Sequence, residues 1–186
     1  GVEARHFWGS SGYGVWDDSR NKLEEVFARC MGAEAALVRS QFMSGTHTLT
    51  VALFGLLRTG DTLLAATGRP YDTLEGVIGI GEAGKGCGTL REYGVNYDEC
   101  PLLPDNTPDY ALIAEKAKTA TVVHIQRSRG YMQRNAFDLE TIRRVAETAR
   151  KANPDAVIFV DNCYGEFTQT QEPLAAGADL IAGSFI

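Results

Sequence analysis

The sequence lacks the cysteine and histidine spacings that bind metal ions or form redox pairs. Its four cysteines include no C-x-x-C pair, and its three histidines show no metal-ligand spacing. These absences disfavour a zinc ribbon, a thioredoxin-type motif and a metal site. Scattered cysteines in a chain of 186 residues also fit a reducing compartment better than a disulfide scaffold, so we expect a cytoplasmic protein.

The chain also lacks a basic run, a long apolar run and a hydrophobic leader. Lys and Arg number 18 against 24 Asp and Glu, which gives a formal net charge of −6, so we expect no nucleic-acid partner. The longest mostly apolar runs, such as 49–57 and 156–160, are far shorter than the roughly 18 residues that a membrane span needs. We therefore expect no membrane partner either, and no signal peptide is evident.

What is present is the composition of a globular domain. Hydrophobic residues make up 44% of the chain, which is enough for a core of one domain at about 150 residues per domain. We divide the chain into an N-terminal segment and helix, 1–30, and a large domain, 31–186. The last nine residues, 178–186, have the pattern of a buried strand that stops, so we expect the chain to be part of a longer polypeptide.

Short apolar segments alternate with amphipathic segments along the chain. The pattern predicts helices at 18–31, 44–57, 71–78, 109–118 and 137–152, and strands at 35–38, 62–66, 90–93, 121–125, 156–160 and 178–186. This alternation predicts the α/β class, with a mainly parallel sheet and helices on both faces. Ligands of such sheets bind at the carboxyl ends of the strands, so we expect the functional residues at those junctions.

One glycine-rich stretch, 79–88, resembles nucleotide-binding motifs in its letters only. It matches both G-x-G-x-x-G and G-x-x-x-x-G-K, but those motifs require a strand before them and a helix after them. Gly86 and Gly88 cannot start a stable helix, and Gly86 stands where a P-loop needs Ser or Thr. We interpret the stretch as a loop.

Two junctions suggest an anion site and a cation site. Ser44, Gly45 and Thr46 begin a buried helix, where free N–H groups and hydroxyls can hold a phosphate, although Ser44 could also be an ordinary N-cap. Asp161 follows a buried strand, where its carboxylate could hold a protonated pyridine, a metal-bound group or a histidine, or could cap the next turn. Tyr71 could stack on a flat ring or could be a half-buried aromatic.

A third junction places Arg127 and Arg129 just after the predicted strand 121–125. Guanidinium groups pair bidentately with carboxylate and phosphate, so these residues could bind either anion. The alternative is a solvated basic loop.

Taken together, these segments resemble the pyridoxal-phosphate enzymes of fold type I, in their Cys/Met-metabolism branch. The resemblance is closest to the aluminium resistance subgroup, which is similar to cystathionine β-lyase and methionine γ-lyase. The matching segments cover nearly the whole chain in family order: 12–14, 42–47, 70–75, 126–131, 161–167 and 177–184. The resemblance implies the large domain of such an enzyme, with the cofactor lysine expected at position 187 and the small domain beyond it.

The resemblance also implies roles for single residues. Ser44, Gly45, Thr46 and Ser184 would bind the phosphate of pyridoxal 5′-phosphate, and Tyr13 would reach the phosphate of a neighbouring subunit. The protein would then be a homodimer or homotetramer, with Tyr13 in a shared site.

Four further residues would contact the cofactor ring, a cofactor oxygen or the substrate. Tyr71 would stack on the pyridine ring and Asp161 would pair with the ring nitrogen, while Arg127 and Arg129 would contact a cofactor oxygen or the substrate carboxylate. The implied activity is a carbon–sulfur lyase, with β- or γ-elimination on cystathionine, methionine or cysteine. Two alternatives remain open: another pyridoxal-phosphate reaction, such as transamination or aldol cleavage, and a non-catalytic metal-stress resistance protein that keeps the fold.

Overall fold

A computed structural model describes residues 1–15, 17–82 and 84–185, and the chain divides into two compact units, Gly1–Phe42 and Met43–Ile186. The first unit holds a 3-10 helix, Ala4–Phe7, and helix α1, Asp18–Met31, which confirms the helix predicted there. Gly32 ends α1 in the left-handed conformation that glycine adopts readily. The division of the chain after residue 30 stays a prediction.

The strand predicted at 35–38 is wrong. The structure assigns no strand to these described residues, and the Val38 N–H donates instead to Oε1 of Glu24 on α1, at 3.1 Å. Arg39 forms an ion pair with the same carboxylate. A side chain of the helix therefore satisfies backbone that a neighbouring strand would otherwise pair with.

The second unit is a five-stranded parallel sheet with the order β2-β1-β3-β4-β5. Its elements run in chain order as α2 Gly45–Leu56, β1 Thr62–Ala65, α3 Asp72–Ile78, β2 Asn96–Glu99, α4 Tyr110–Lys116, a 3-10 turn Ala117–Thr119, β3 Val122–Gln126, α5 Leu139–Ala152, β4 Val157–Asp161, a 3-10 turn Pro173–Ala176 and β5 Leu180–Ala182. The predicted α/β class with a parallel sheet is confirmed.

Helices cover both faces of this sheet, as predicted. Side chains alternate along each strand, so Leu64 and Leu63 enter different cores. One core holds the buried residues of α4 and α5, including Ile113 and Ile142. The other core holds those of α2 and α3, including Leu53.

The strand predicted at 90–93 is also wrong, and strand β2 was missed. The Leu90 N–H donates to the Val77 carbonyl at 3.0 Å, so the segment after the glycine-rich loop folds back on the end of α3. Strand β2 is the edge of the sheet, paired with β1. An edge strand tolerates polar side chains, so Asn96–Glu99 carries no apolar signal.

The glycine-rich stretch is a loop after α3, as interpreted. The Glu92 carboxylate accepts hydrogen bonds from the N–H groups of Gly86, Gly88 and Thr89, at 2.6, 2.8 and 3.0 Å. These bonds lower the pKa of Glu92. The protein's own carboxylate therefore occupies the N–H groups that a phosphate would need.

The strand order reverses between β1 and β3, because the chain passes from β1 to β2 on one side and returns to β3 on the other. Such a reversal opens a crevice at the carboxyl ends of the two strands, where ligands of open α/β sheets bind. Tyr71 follows β1 and Arg127 follows β3, so both lie at this crevice.

Candidate active site

A cavity of about 880 Å³ lies at the carboxyl ends of the strands. Seven of the residues singled out by sequence line it: Gly45, Thr46, Tyr71, Arg127, Arg129, Asp161 and Ser184. They come from the start of α2 and from the ends of four strands, although they are spread over most of the chain. The structure thus brings the predicted anion and cation sites into one cavity of ligand size.

Asp161 presents a buried carboxylate to this cavity. The residue is 1% exposed, and its Oδ1 accepts a hydrogen bond from the Cys163 N–H at 3.0 Å. Burial raises the pKa of Asp161 to about 6. In the part of the chain that the structure describes, no Lys, Arg or His forms an ion pair with it. A cationic nitrogen in the cavity would supply the partner that this carboxylate lacks.

The start of α2 forms another part of the site. Ser44 is the N-cap of the helix, and its Oγ accepts a hydrogen bond from the His47 N–H at 3.1 Å, while Gly45 and Thr46 line the cavity. The first N–H groups of a helix have no acceptor within it and so can hold an anion. Ser44 therefore acts as a cap in this structure and does not line the cavity.

Gly45 is a position where a side chain would fill the cavity wall. A Cβ built there would lie 3.2 Å from Sγ of Cys163 and 3.3 Å from Cβ of Ser184. Glycine therefore keeps a space between α2 and the end of β5, where a phosphate could approach the backbone closely.

Tyr71 connects the end of β1 to the start of α2. Its hydroxyl lies 3.0 Å from Oγ1 of Thr46, and its N–H donates to Oε1 of Gln126 at 2.9 Å. Burial raises the pKa of Tyr71, so its phenol is protonated at neutral pH. Gln126 lies in the matching segment 126–131, where the sequence suggested no role for it. The structure shows that it fixes the backbone of Tyr71.

Ser184 lies at the wall beside Gly45, just after β5. Its N–H donates to Oε1 of Glu166 at 2.8 Å. A Cβ at Gly183 would lie 2.2 Å from the same oxygen, so this contact requires glycine. Glu166 therefore fixes the backbone on which Ser184 stands.

Arg127 differs from Arg129 in its surroundings, although both line the cavity. Arg127 is 4% exposed and donates through Nε to the carbonyl of Phe137, at 3.3 Å. Its two Nη atoms donate to four more oxygens, those of Asn162 at 2.7 Å, Gly165 at 2.9 Å, Thr168 at 3.3 Å and Gln169 at 2.8 Å. These five bonds use all five N–H donors of a guanidinium.

Arg134, just beyond the motif, is also buried, whereas Arg129 is exposed. Arg134 donates to the carbonyls of Gln126 and Ser128, at 3.1 and 2.5 Å, and its guanidinium lies 4.1 Å from the centre of the Phe137 ring. Within the described ranges, the Arg129 side chain has no hydrogen bond or ion pair. Of the three arginines, Arg129 is therefore the one available to a ligand.

Tyr13 belongs to the first unit and is 90% exposed. The Asp17 carboxylate accepts hydrogen bonds from the N–H groups of Gly12 and Gly14 on either side of it, at 3.3 and 2.7 Å. Two tryptophans lie near it in the sequence: Trp8 is 72% exposed, and Trp16 lies outside the described residues. The role of Tyr13 in a neighbouring subunit stays a prediction.

Several residues of the cavity wall received no role from the sequence. Cys163 and Tyr164 follow Asp161 directly, and Gly130 and Tyr131 follow Arg129. Tyr164 has a left-handed backbone with a φ of 65° and is 87% exposed, a conformation that is uncommon outside glycine and that often occurs at functional sites. All four residues lie beside the predicted junctions in the sequence, and this position could have identified them as candidates.

Among the described residues, no group of three or more His, Cys, Asp and Glu side chains is placed to hold a metal ion. None of the helices in the described ranges has the length and apolar character that crossing a membrane requires.

A family model and a known relative both match the whole chain. The methionine gamma-lyase family model matches residues 1–186. An uncharacterised Bacillus subtilis protein, YnbB, is 44% identical over 186 residues, which are 100% of this chain and 44% of that protein. The chain thus spans less than half the length of this relative.

Solved structures give the same result. A Listeria monocytogenes protein, described as a candidate cystathionine beta-lyase involved in aluminium resistance, is 46% identical with a TM-score of 0.93, over 98% of this chain and 46% of that one. A Clostridium novyi carbon–sulfur lyase involved in aluminium resistance is also 46% identical, with a TM-score of 0.92, over 98% and 44% of the two chains. A Thermus thermophilus aspartate aminotransferase, 15% identical over 88% of this chain and 42% of that one, shares the fold with a TM-score of 0.58. With a parallel α/β sheet, a cavity at its carboxyl edge and a family match along its full length, the chain belongs to the methionine gamma-lyase family.

Proposed function

We propose that the protein is a pyridoxal-phosphate-dependent carbon–sulfur lyase that acts on a sulfur amino acid by β- or γ-elimination. One observation carries the proposal: the N-terminus of α2 and the buried carboxylate of Asp161 line the same cavity. Among the described residues, this carboxylate has no cationic partner. The family match and the lyase names of similar structures support the same class of reaction.

The residues of the cavity fit this cofactor. Gly45, Thr46 and Ser184 would hold its phosphate, because a side chain at Gly45 would fill the space between α2 and Ser184. Tyr71 would lie against the pyridine ring, and Asp161 would accept the proton of the ring nitrogen. When bound, the cofactor supplies an electron sink for the α-carbon of an amino acid.

Asp161 would hold a proton at the ring nitrogen. Its buried carboxylate gains a cationic partner there, and the Cys163 N–H keeps one of its oxygens in place. A carboxylate and a pyridinium that share a buried site each favour the charged form of the other.

Tyr71 and Arg129 would act on the substrate. The phenol of Tyr71 is protonated at neutral pH because burial raises its pKa, so it could give a proton to the departing thiolate. The Arg129 guanidinium lies at the cavity with its donors free among the described residues, and we assign it to the substrate carboxylate.

Product analysis tests the proposal. The purified protein, loaded with pyridoxal phosphate, is incubated separately with cystathionine, methionine and cysteine. A lyase releases ammonia, a 2-oxo acid and a thiol or sulfide in equal amounts. A 2-oxo acid without ammonia would indicate transamination. Release of acetaldehyde and glycine in a parallel incubation with threonine, a β-hydroxy amino acid, would indicate aldol cleavage. A colourless protein that takes up no cofactor would indicate a non-catalytic resistance protein.

A further inference from the structure

Four of the five oxygens that accept hydrogen bonds from Arg127 lie in one segment, residues 162–169. This segment, which we call the β4 loop, begins immediately after Asp161. It contributes Cys163, Tyr164, Gly165 and Thr168 to the cavity wall. Arg127 therefore joins the end of β3 to the loop that carries much of the candidate site.

The charge of Arg127 is already compensated inside the protein. Glu172 is 5% exposed, and one of its carboxylate oxygens lies 3.8 Å from Nη1 of Arg127. The same carboxylate accepts hydrogen bonds from Nδ2 of Asn162 at 2.9 Å and from the Phe167 N–H at 2.8 Å. Glu172 and Arg127 thus hold the β4 loop together, and the guanidinium needs no anion from a ligand.

The packing around this network leaves little room to move. A Cβ built at Gly165 would lie 2.6 Å from Nη1 of Arg127 and 2.7 Å from Oδ1 of Asn162. The loop backbone therefore touches the guanidinium directly. An anion could reach Arg127 only by displacing protein oxygens that already accept its hydrogen bonds.

We propose that Arg127 is a positioning residue. It fixes the β4 loop, which follows Asp161, and thereby sets the affinity of the cavity for pyridoxal phosphate. It does not contact the substrate carboxylate. The proposal rests on the proposed function for its cofactor and substrate. Its effect on the loop is a property of the cofactor-free protein as well.

The test compares Arg127→Gln and Arg127→Lys with Arg129→Gln. Hydrogen exchange of residues 162–169 is measured in the cofactor-free proteins. The Kd of pyridoxal phosphate and the KM of the amino acid are then measured for each variant. Every measurement is made at a temperature well below the Tm of that variant. We expect both Arg127 variants to exchange faster in the β4 loop and to bind the cofactor about tenfold more weakly, since small displacements in a site have effects of this order. Lysine should not rescue, because one ammonium cannot reach oxygens spread along the whole loop.

Arg129→Gln is the contrasting variant. It should leave exchange in the β4 loop unchanged and raise the KM of the amino acid. The proposal is overturned if Arg127→Gln raises KM while loop exchange and cofactor affinity stay at wild-type values, because Arg127 would then be a direct ligand of the substrate. A lower Tm with unchanged cofactor affinity would also overturn it, since the role would then be merely structural.

A milder pair of variants covers the case in which Arg127→Gln does not fold. Gln169→Ala removes a single acceptor of Arg127, and Gln171→Ala removes a nearby exposed glutamine. We expect Gln169→Ala to speed loop exchange and weaken cofactor binding about threefold, the order of one lost hydrogen bond, and Gln171→Ala to match wild type. Equal behaviour of the two would overturn the proposal. A wild-type protein that binds no pyridoxal phosphate would refute the proposed function, and loop exchange would still test the role of Arg127.

Discussion

Asp161 carries a carboxylate that is 1% exposed, and burial raises its pKa from 3.8 to about 6. The folded protein therefore binds this proton more tightly than the unfolded chain does. Protonated Asp161 therefore stabilises the folded state relative to ionised Asp161. This contribution to the free energy of unfolding is fully present below pH 3.8 and is lost as the pH rises through about 6. At about 1.36 kcal/mol per pKa unit, the ionised side chain costs the cofactor-free protein on the order of 3 kcal/mol at neutral pH.

Replacing Asp161 by Asn should stabilise the cofactor-free protein at neutral pH. We expect a gain of roughly 1–3 kcal/mol in the free energy of unfolding at pH 7, shrinking to nothing near pH 4. Urea unfolding at several pH values measures it. Asp155→Asn, at an exposed position just before β4, is the matched control for removing one carboxylate. A gain of the same size at every pH would contradict the assignment.

The same variant should lose activity. A neutral amide cannot hold the ring proton, so we expect kcat to fall by about a hundredfold or more while the cofactor Kd changes little. An unchanged kcat would rule out the role proposed for Asp161.

At the scale of the element, α2 carries one glycine at each end, in different surroundings. Gly45 lies at the cavity wall against Cys163 and Ser184, whereas a Cβ at Gly55 would meet nothing within 4 Å. In a helix interior, alanine is more favourable than glycine by about 1 kcal/mol. The two positions therefore separate the needs of the helix from the needs of the ligand.

We expect Gly55→Ala to raise the free energy of unfolding by roughly 0.5–1 kcal/mol and to leave cofactor affinity unchanged. Gly45→Ala should weaken pyridoxal phosphate binding by about tenfold or more, because its methyl group enters the phosphate space. Thermal unfolding and cofactor titration of both variants provide the measurements. Equal cofactor affinity in the two variants would show that the phosphate does not approach Gly45.

At the scale of the whole molecule, we propose a homo-oligomer whose cofactor sites include Tyr13 of a neighbouring subunit. The support within the chain is the exposed aromatic surface of the first unit, with Tyr13 90% and Trp8 72% exposed. Sedimentation should show a dimer or tetramer, and Tyr13→Phe should weaken cofactor binding. Tyr93→Phe, which removes another exposed phenol, should not. A fully active monomer would contradict the shared site.

Much of the fold could be read from local patterns. Helices α1 and α5 have an apolar face at helical spacing, and α2 is apolar on most sides. Ser44 and Asp138 mark the starts of α2 and α5 as N-caps, and the bounds of all three helices were predicted within one or two residues. The buried strands β1, β3 and β4 were equally clear. The edge strand β2 was missed because its pairing with β1, and not its own side chains, makes it a strand.

The sequence by itself determined the residue types at the start of α2 and at the strand ends, and thereby the anion and cation chemistry of Gly45 and Asp161. Only the tertiary structure decided which of these groups remain free for a ligand. Arg127 gives all five donors to protein oxygens, most of them about 40 residues away, whereas the Ser44 hydroxyl accepts one helix N–H and keeps its O–H donor. Arg127 and Arg129 look alike in the sequence, because burial and hydrogen-bond partners depend on contacts between distant segments of the chain.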